Sequence, residues 1–156
     1  MHPKFSKVID QLHSKFEELT TGQSFNFTTL PREMPSAGVY LFSENDKPLY
    51  VGRSNRLRER YKSHCRLGSK HNQAAFAYKL AHKALNLGPA SYKPGPESRK
   101  GRSANAKFIE AFSAAKARVR GMQYRFVAEP DQKRQALLEM YCAIALDTEF
   151  NDFSTS

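Results

Sequence analysis

The sequence predicts an α+β fold: a small, mainly antiparallel three-stranded sheet flanked by helices. Three observations predict it. Short β-rich runs stand close together at 38–43 and 49–52, separated only by the polar stretch Glu44–Lys47, which is hairpin spacing. A third short run, Gln123–Ala128, comes late. Between and around these runs lie segments with helical spacing of apolar residues.

Taken in order, Phe5, Val8, Ile9, Leu12, Phe16 and Leu19 recur at i, i+3 and i+4, so a helix is expected over about 4–20, stopped by Gly22. Phe25–Leu30 is β-rich, and Pro31 and Pro35 mark a loop. Gly38–Ser43 and Leu49–Gly52 form the hairpin. Ser54 or Asn55 can cap a helix running to about Cys65. A second helix is expected over about Asn72–Leu87. Gly88–Ala104 holds three prolines and three glycines, and a loop of that length in a compact domain is usually functional or disordered. A further helix covers Asn105–Arg120. Pro130 opens the last long helix, about Asp131–Leu146.

At 156 residues the chain has the length of one ordinary domain, and 1–156 is read as one, with an N-terminal helix and a basic insertion at about 66–120. Cys65 and Cys142 lie far apart with no paired spacing. They read as core thiols of a reducing, cytoplasmic protein. No apolar run approaches the roughly 20 residues of a membrane span, so no membrane partner is expected. The N-terminus has no apolar h-region of a secretion signal.

Net charge is +10, and its location is more telling than its size. Between Arg66 and Arg120 stand twelve Lys/Arg against two acids, Glu97 and Glu110, while the remainder holds thirteen of each sign. A charge run is usually a solvated face. An excess confined to one segment points to a polyanion. The candidate nucleic-acid contacts are Arg56, Lys62, Arg66, Lys70, Lys79, Lys93, Arg99, Lys100, Arg102, Arg118 and Arg120.

The hairpin and the helix after it carry the candidate chemistry. Tyr40 and Tyr50 share a face of the sheet only if the loop has an odd number of residues or the ladder carries a bulge. A three-residue loop at Glu44–Asp46 would pair 40 with 50. Gly52 ends the second strand, where a glycine permits close approach. Arg56, Arg60 and His64 fall at i, i+4 and i+8 and form a basic stripe beside the apolar stripe Leu57, Tyr61 and Cys65. Arginine's planar fork matches two phosphate oxygens. In the last helix, Glu139 is the sole charge in ALLEMYCAIAL. A carboxylate there is costly unless paired with an arginine or bound to a hard cation. His64, Cys65 and His71 match no strong zinc spacing. His2, His13 and His82 read as surface residues. There is no P-loop, G-x-G-x-x-G or nucleophile elbow.

Gly38-Val39-Tyr40 and Tyr50-Val51-Gly52, followed by a helix with LRER and then SH, resemble the GIY-YIG nuclease superfamily. The resemblance is dense over residues 38–64. It implies a DNA endonuclease dependent on Mg²⁺ (or Mn²⁺). Arg60 falls at the catalytic arginine, His64 where many members have His or Tyr, and Arg53 at a place often held by lysine. Glu139 matches the single metal-binding glutamate, and Asn151 resembles the terminal asparagine. By similarity a hairpin tyrosine, Tyr40 before Tyr50, takes the proton of the attacking water, with His64 the competing base. The implied partner is DNA, as a duplex, and cutting both strands would need two events or a homodimer. The long stretch between Arg60 and Glu139 departs from minimal members and looks like an added DNA-holding element. Two alternatives remain: a catalytically silent DNA-binding module, and an RNA-directed nuclease or RNA-binding protein. Phe76, Tyr78, Tyr92 and Phe108 interleave with the basic residues and could stack on bases. Phe76 and Phe108 can equally be helix core, which leaves Tyr92, in the loop, as the better stacker.

Overall fold

The computed structural model describes residues 1–153. Among them are six helices and three strands: α1 (Pro3–Thr21), β1 (Gly38–Glu44), β2 (Lys47–Ser54), α2 (Leu57–Cys65), α3 (Ala75–Ala84), α4 (Arg99–Arg102), α5 (Ala106–Gly121), β3 (Gln123–Ala128) and α6 (Gln132–Leu146). The α+β expectation holds. The sheet is antiparallel, in the order β2-β1-β3. The chain divides into two compact units: Met1–Arg60 with Met122–Ser156, and Tyr61–Gly121.

In the first unit, alternation along the strands sorts side chains onto two faces. Val39, Leu41, Val51 and Val127 form one buried cluster with Leu12 and Leu19 of α1 and Leu138 and Cys142 of α6. The opposite face is aromatic: Tyr40, Phe42 and Tyr124 have ring centroids 5.1–5.8 Å apart. Asp131 caps α6, its side chain accepting from the N–H of Arg134 at 2.9 Å.

The hairpin corrects the expected loop. Its turn has two residues, Asn45 and Asp46, both with positive φ (50° and 62°), which suits the right-handed twist of a tight hairpin. The register shifts between Phe42 and Ser43, so that Phe42 faces Tyr50 while Ser43 faces Pro48. Leu49 is the extra residue. This bulge restores the parity that an even turn would break, and Tyr40 and Tyr50 share a face. Tyr40 stands opposite Gly52, not Tyr50 as a three-residue loop would require. The Asp46 N–H donates to Gln123 Oε1 and Gln123 Nε2 donates to Asp46 Oδ1, each at 2.8 Å, pinning the turn to the start of β3.

Other expectations shift. Of the β-rich run 25–30, only Phe25 pairs, in an isolated bridge to Tyr124. The residues after it follow a turn in which Asn26 Oδ1 accepts from Thr28 and Thr29, a local alternative to a ladder. The helix expected from Asn72 begins at Ala75.

The second unit is built on α3 and α5. Phe76, Tyr78, Phe108 and Phe112 are buried, with Tyr78 against Phe108 at 5.2 Å, so Phe76 and Phe108 are helix core. Lys116 is also buried and donates to the carbonyls of Leu67 and Ser69. No helix among the described residues is long and apolar enough to cross a membrane.

Candidate active site

One cleft of about 350 Å³ in the first unit is lined by Tyr40, Tyr50, Gly52, Arg53, Ser54, Asn55, Arg60, Gln132, Gln135 and Glu139. Tyr40 and Tyr50 reach it from the hairpin. Gly52 is required there, because a Cβ at this position would overlap the Tyr40 ring at Cζ and Oη. Gly38 serves the sheet in a similar way, since a Cβ would overlap the Val127 carbonyl of β3.

Arg60, in the first turn of α2, hydrogen-bonds both tyrosine hydroxyls. Burial raises the Tyr40 pKa well above the ordinary tyrosine value. Tyr50 raises it further, and Arg60 only partly offsets this. The Tyr50 pKa is raised too, by burial first. For Arg60 burial works against the charge, but Tyr40 and then Tyr50 outweigh it, and the net shift is upward. The guanidinium is fixed as a cation between two phenols.

Glu139 projects from α6 and accepts from Arg53 Nε at 3.0 Å. The Arg53 side chain is 44% exposed. At that exposure the pair contributes about 0–1 kcal/mol and is readily exchanged. Among the described residues no three His, Cys, Asp or Glu side chains gather as a metal-ligand set. One carboxylate among phenols and amides fits a hard cation that keeps most of its water and takes substrate oxygens, as Mg²⁺ does.

The structure brings together Tyr40, Tyr50, Arg53, Arg60 and Glu139. Asn151 is close in the fold but differently engaged: its Oδ1 accepts from the Val51 N–H at 2.8 Å and its Nδ2 donates to the Val51 carbonyl at 2.7 Å. It holds β2 in place. His64 belongs to the second unit and is fully buried, so of the basic stripe expected beside the apolar one, Arg56, Arg60 and His64, only Arg60 lines the cleft. Of the other basic residues, Arg56, Arg66, Lys70, Lys93, Arg99, Lys100 and Arg118 are exposed, and Lys62, Lys79 and Arg120 are half-buried. Arg102 is instead buried and donates to Gly88 O, Pro89 O and Glu97 Oε2.

Sequence reasoning missed Gln132 and Gln135. Gln135 is buried and donates to Asn55 Oδ1 at 2.9 Å and Glu129 O at 2.7 Å, locking the turn after β2 to α6. The signal was present: 132, 135 and 139 fall at i, i+3 and i+7 on one helical face.

A search of curated proteins and of solved structures finds no significant match. Residues 36–89 match the family model described as the GIY-YIG catalytic domain. The matched segment, about a third of the chain, contains both strands of the hairpin and Arg60, and over it the chain is similar to the GIY-YIG catalytic domain, while Gln132, Gln135 and Glu139 of the cleft lie outside it.

Proposed function

We propose that this cleft hydrolyses DNA phosphodiester bonds in a reaction dependent on a divalent cation. The carrying observation is the convergence of two phenols, a fixed guanidinium and a half-buried carboxylate on one cleft. Arg60 faces the space a phosphate would enter and balances charge that grows on it in the transition state. A hairpin tyrosine, Tyr40 before Tyr50, takes the proton of the attacking water. Burial holds both phenols protonated at neutral pH, so positive charge in the cleft must favour the phenolate. Arg53 leaves Glu139 for a phosphate oxygen, which suits its exposed, exchangeable pairing. A Mg²⁺ or Mn²⁺ ion on Glu139 would supply Lewis-acid stabilisation of the phosphate and the leaving oxygen. His64 is too deeply buried to compete as base without a rearrangement.

The exposed cations of the second unit would hold the DNA backbone, and cutting both strands of a duplex would need two events or a homodimer. Two free, buried thiols suit a reducing compartment such as the cytoplasm. The experiment is nicking of supercoiled plasmid with MgCl₂. Wild type nicks, and Glu139→Ala and Arg60→Ala do not; full activity in either variant refutes the proposal.

A further inference from the structure

The loop 88–104 is built to hold one aromatic residue in solvent. Its ends and middle are tied by a buried arginine: Arg102 donates to Gly88 O at 2.7 Å, to Pro89 O at 3.1 Å and to Glu97 Oε2 at 3.0 Å. Inside this staple the Ser91 N–H donates to Glu97 O at 2.8 Å, and Ser91 bridges Ser98. The Ser98 hydroxyl donates to Gly95 O and accepts from the Gly101 N–H. Gly101 is needed for this closure, because a Cβ there would overlap the Gly95 carbonyl. Arg99 fastens α4 to the body of the unit: its guanidinium lies 4.3 Å from the Tyr78 ring centroid and donates to His71 O.

On this frame Tyr92 is 96% exposed. It borders an open recess shared with Pro94, Gly95, Ser98, Lys100 and Ala104. Lys93 and Lys100 are exposed. Glu97, the sole acid of the loop, is paired with Arg102. An aromatic ring held in water on a hydrogen-bonded loop, beside exposed cations and no unpaired acid, is complementary to a ligand with flat apolar faces and regular negative charge. An unpaired nucleobase on its phosphate backbone has that chemistry. The bases of an intact duplex are stacked and offer no face.

We propose that Tyr92 stacks on an unpaired base, so that the protein prefers DNA carrying a single-stranded tail or opening over a perfect duplex. This rests on the nucleic-acid reading above and names its substrate class. The chain has no tryptophan, so Tyr92→Trp installs a sole tryptophan, selectively excited at the red edge of its absorption, at the proposed contact.

Binding is measured in EDTA, where nothing is cut, on a perfect duplex, on the same duplex with a short single-stranded DNA tail, and on one with an RNA tail. Tyr92→Trp should keep the wild-type preference for the DNA tail, and its emission should change with that probe and not with the perfect duplex. Tyr92→Ala should lose about 5- to 100-fold in affinity for the tailed probe, with affinity for the perfect duplex unchanged, and Tyr92→Phe should behave as wild type. Equal preference in Tyr92→Ala and wild type, or an unchanged Trp signal, overturns the proposal, and a response to the RNA tail alone overturns the choice of DNA. Absence of any duplex binding would count instead against the DNA reading itself.

Discussion

Tyr40 and Tyr92 are the same residue under opposite conditions. Tyr40 is 1% exposed, hydrogen-bonded to Arg60 and surrounded by rings, and its proton is held tightly. Tyr92 is 96% exposed on a stapled loop. The units that contain them differ in the same way. Residues 61–121 hold thirteen Lys/Arg against two acids, and the remainder twelve against thirteen. In the first unit the key cations are already partnered, Arg60 by phenols and Arg53 by a carboxylate. In the second most basic side chains reach solvent, and Arg102 and Lys116 are the buried ones among those described. On the proposed function the contrast separates two tasks: partnered, desolvated groups act on a bond, and solvated cations hold a polyanion with an affinity that falls with salt.

That division can be broken by experiment. The largest effect is expected in the cleft, where Arg60→Ala and Glu139→Ala should each lower plasmid nicking by about 10²–10³-fold, with circular dichroism unchanged. Next is Gly52→Ala. The added methyl would push the Tyr40 ring aside, and a shift of about 1 Å is expected to cost about 10²-fold in rate. The same variant should lose about 1–3 kcal/mol of stability by denaturant titration.

Smaller effects belong to the second unit. Replacing Lys70, Lys93 and Lys100 together by Gln should weaken duplex binding several-fold. The slope of log affinity against log salt should fall by about 1 for each phosphate no longer neutralised. The rate at saturating DNA should stay unchanged. A triple variant with slower saturated cleavage would erase the distinction between the units.

The last effect is absent at neutral pH and appears only in alkali, and it compares the units directly through one thiol in each. Burial pushes Cys65 up to about 12, with Tyr61 and Arg120 partly opposing. Burial and then Glu139 push Cys142 up to about 12. Below the ordinary thiol value near 9 both states keep the proton and stability is intact. Above it the unfolded chain ionises first, so stability falls towards pH 12 by up to about 1.4 kcal/mol per pH unit per thiol. Cys65→Ala and Cys142→Ala should each flatten the fall of melting temperature between pH 8 and 11.

Parts of this molecule are legible from residues alone, and the reason is locality. The hairpin strands, the basic helix and the lone Glu139 announce themselves through period, spacing and an acid out of place. Alternation along the strands demands a bulge when the turn is even, and Leu49 supplies one. Where the bulge falls depends on the pairing of Phe42 with Tyr50, which no local signal states. The β-rich run at 25–30 misled because Asn26 captures Thr28 and Thr29 in a turn. His64 fell on a polar stripe by helical geometry, yet burial depends on what covers that stripe. Asn151 was legible as a position and not through its partner. That partner is the backbone of Val51, a hundred residues away, and backbone groups look alike in every sequence.

The Asn151–Val51 pairing has a consequence for self-association. β2 is an edge strand, and a bare edge invites a second copy to extend the sheet. Here Asn151 occupies both the N–H and the carbonyl of Val51, and the Phe150 N–H occupies the carbonyl of Leu49. At β3 the Tyr124 N–H and carbonyl are taken by Phe25. Both rims of the sheet are therefore blunted at these points, which disfavours a second copy continuing the ladder there.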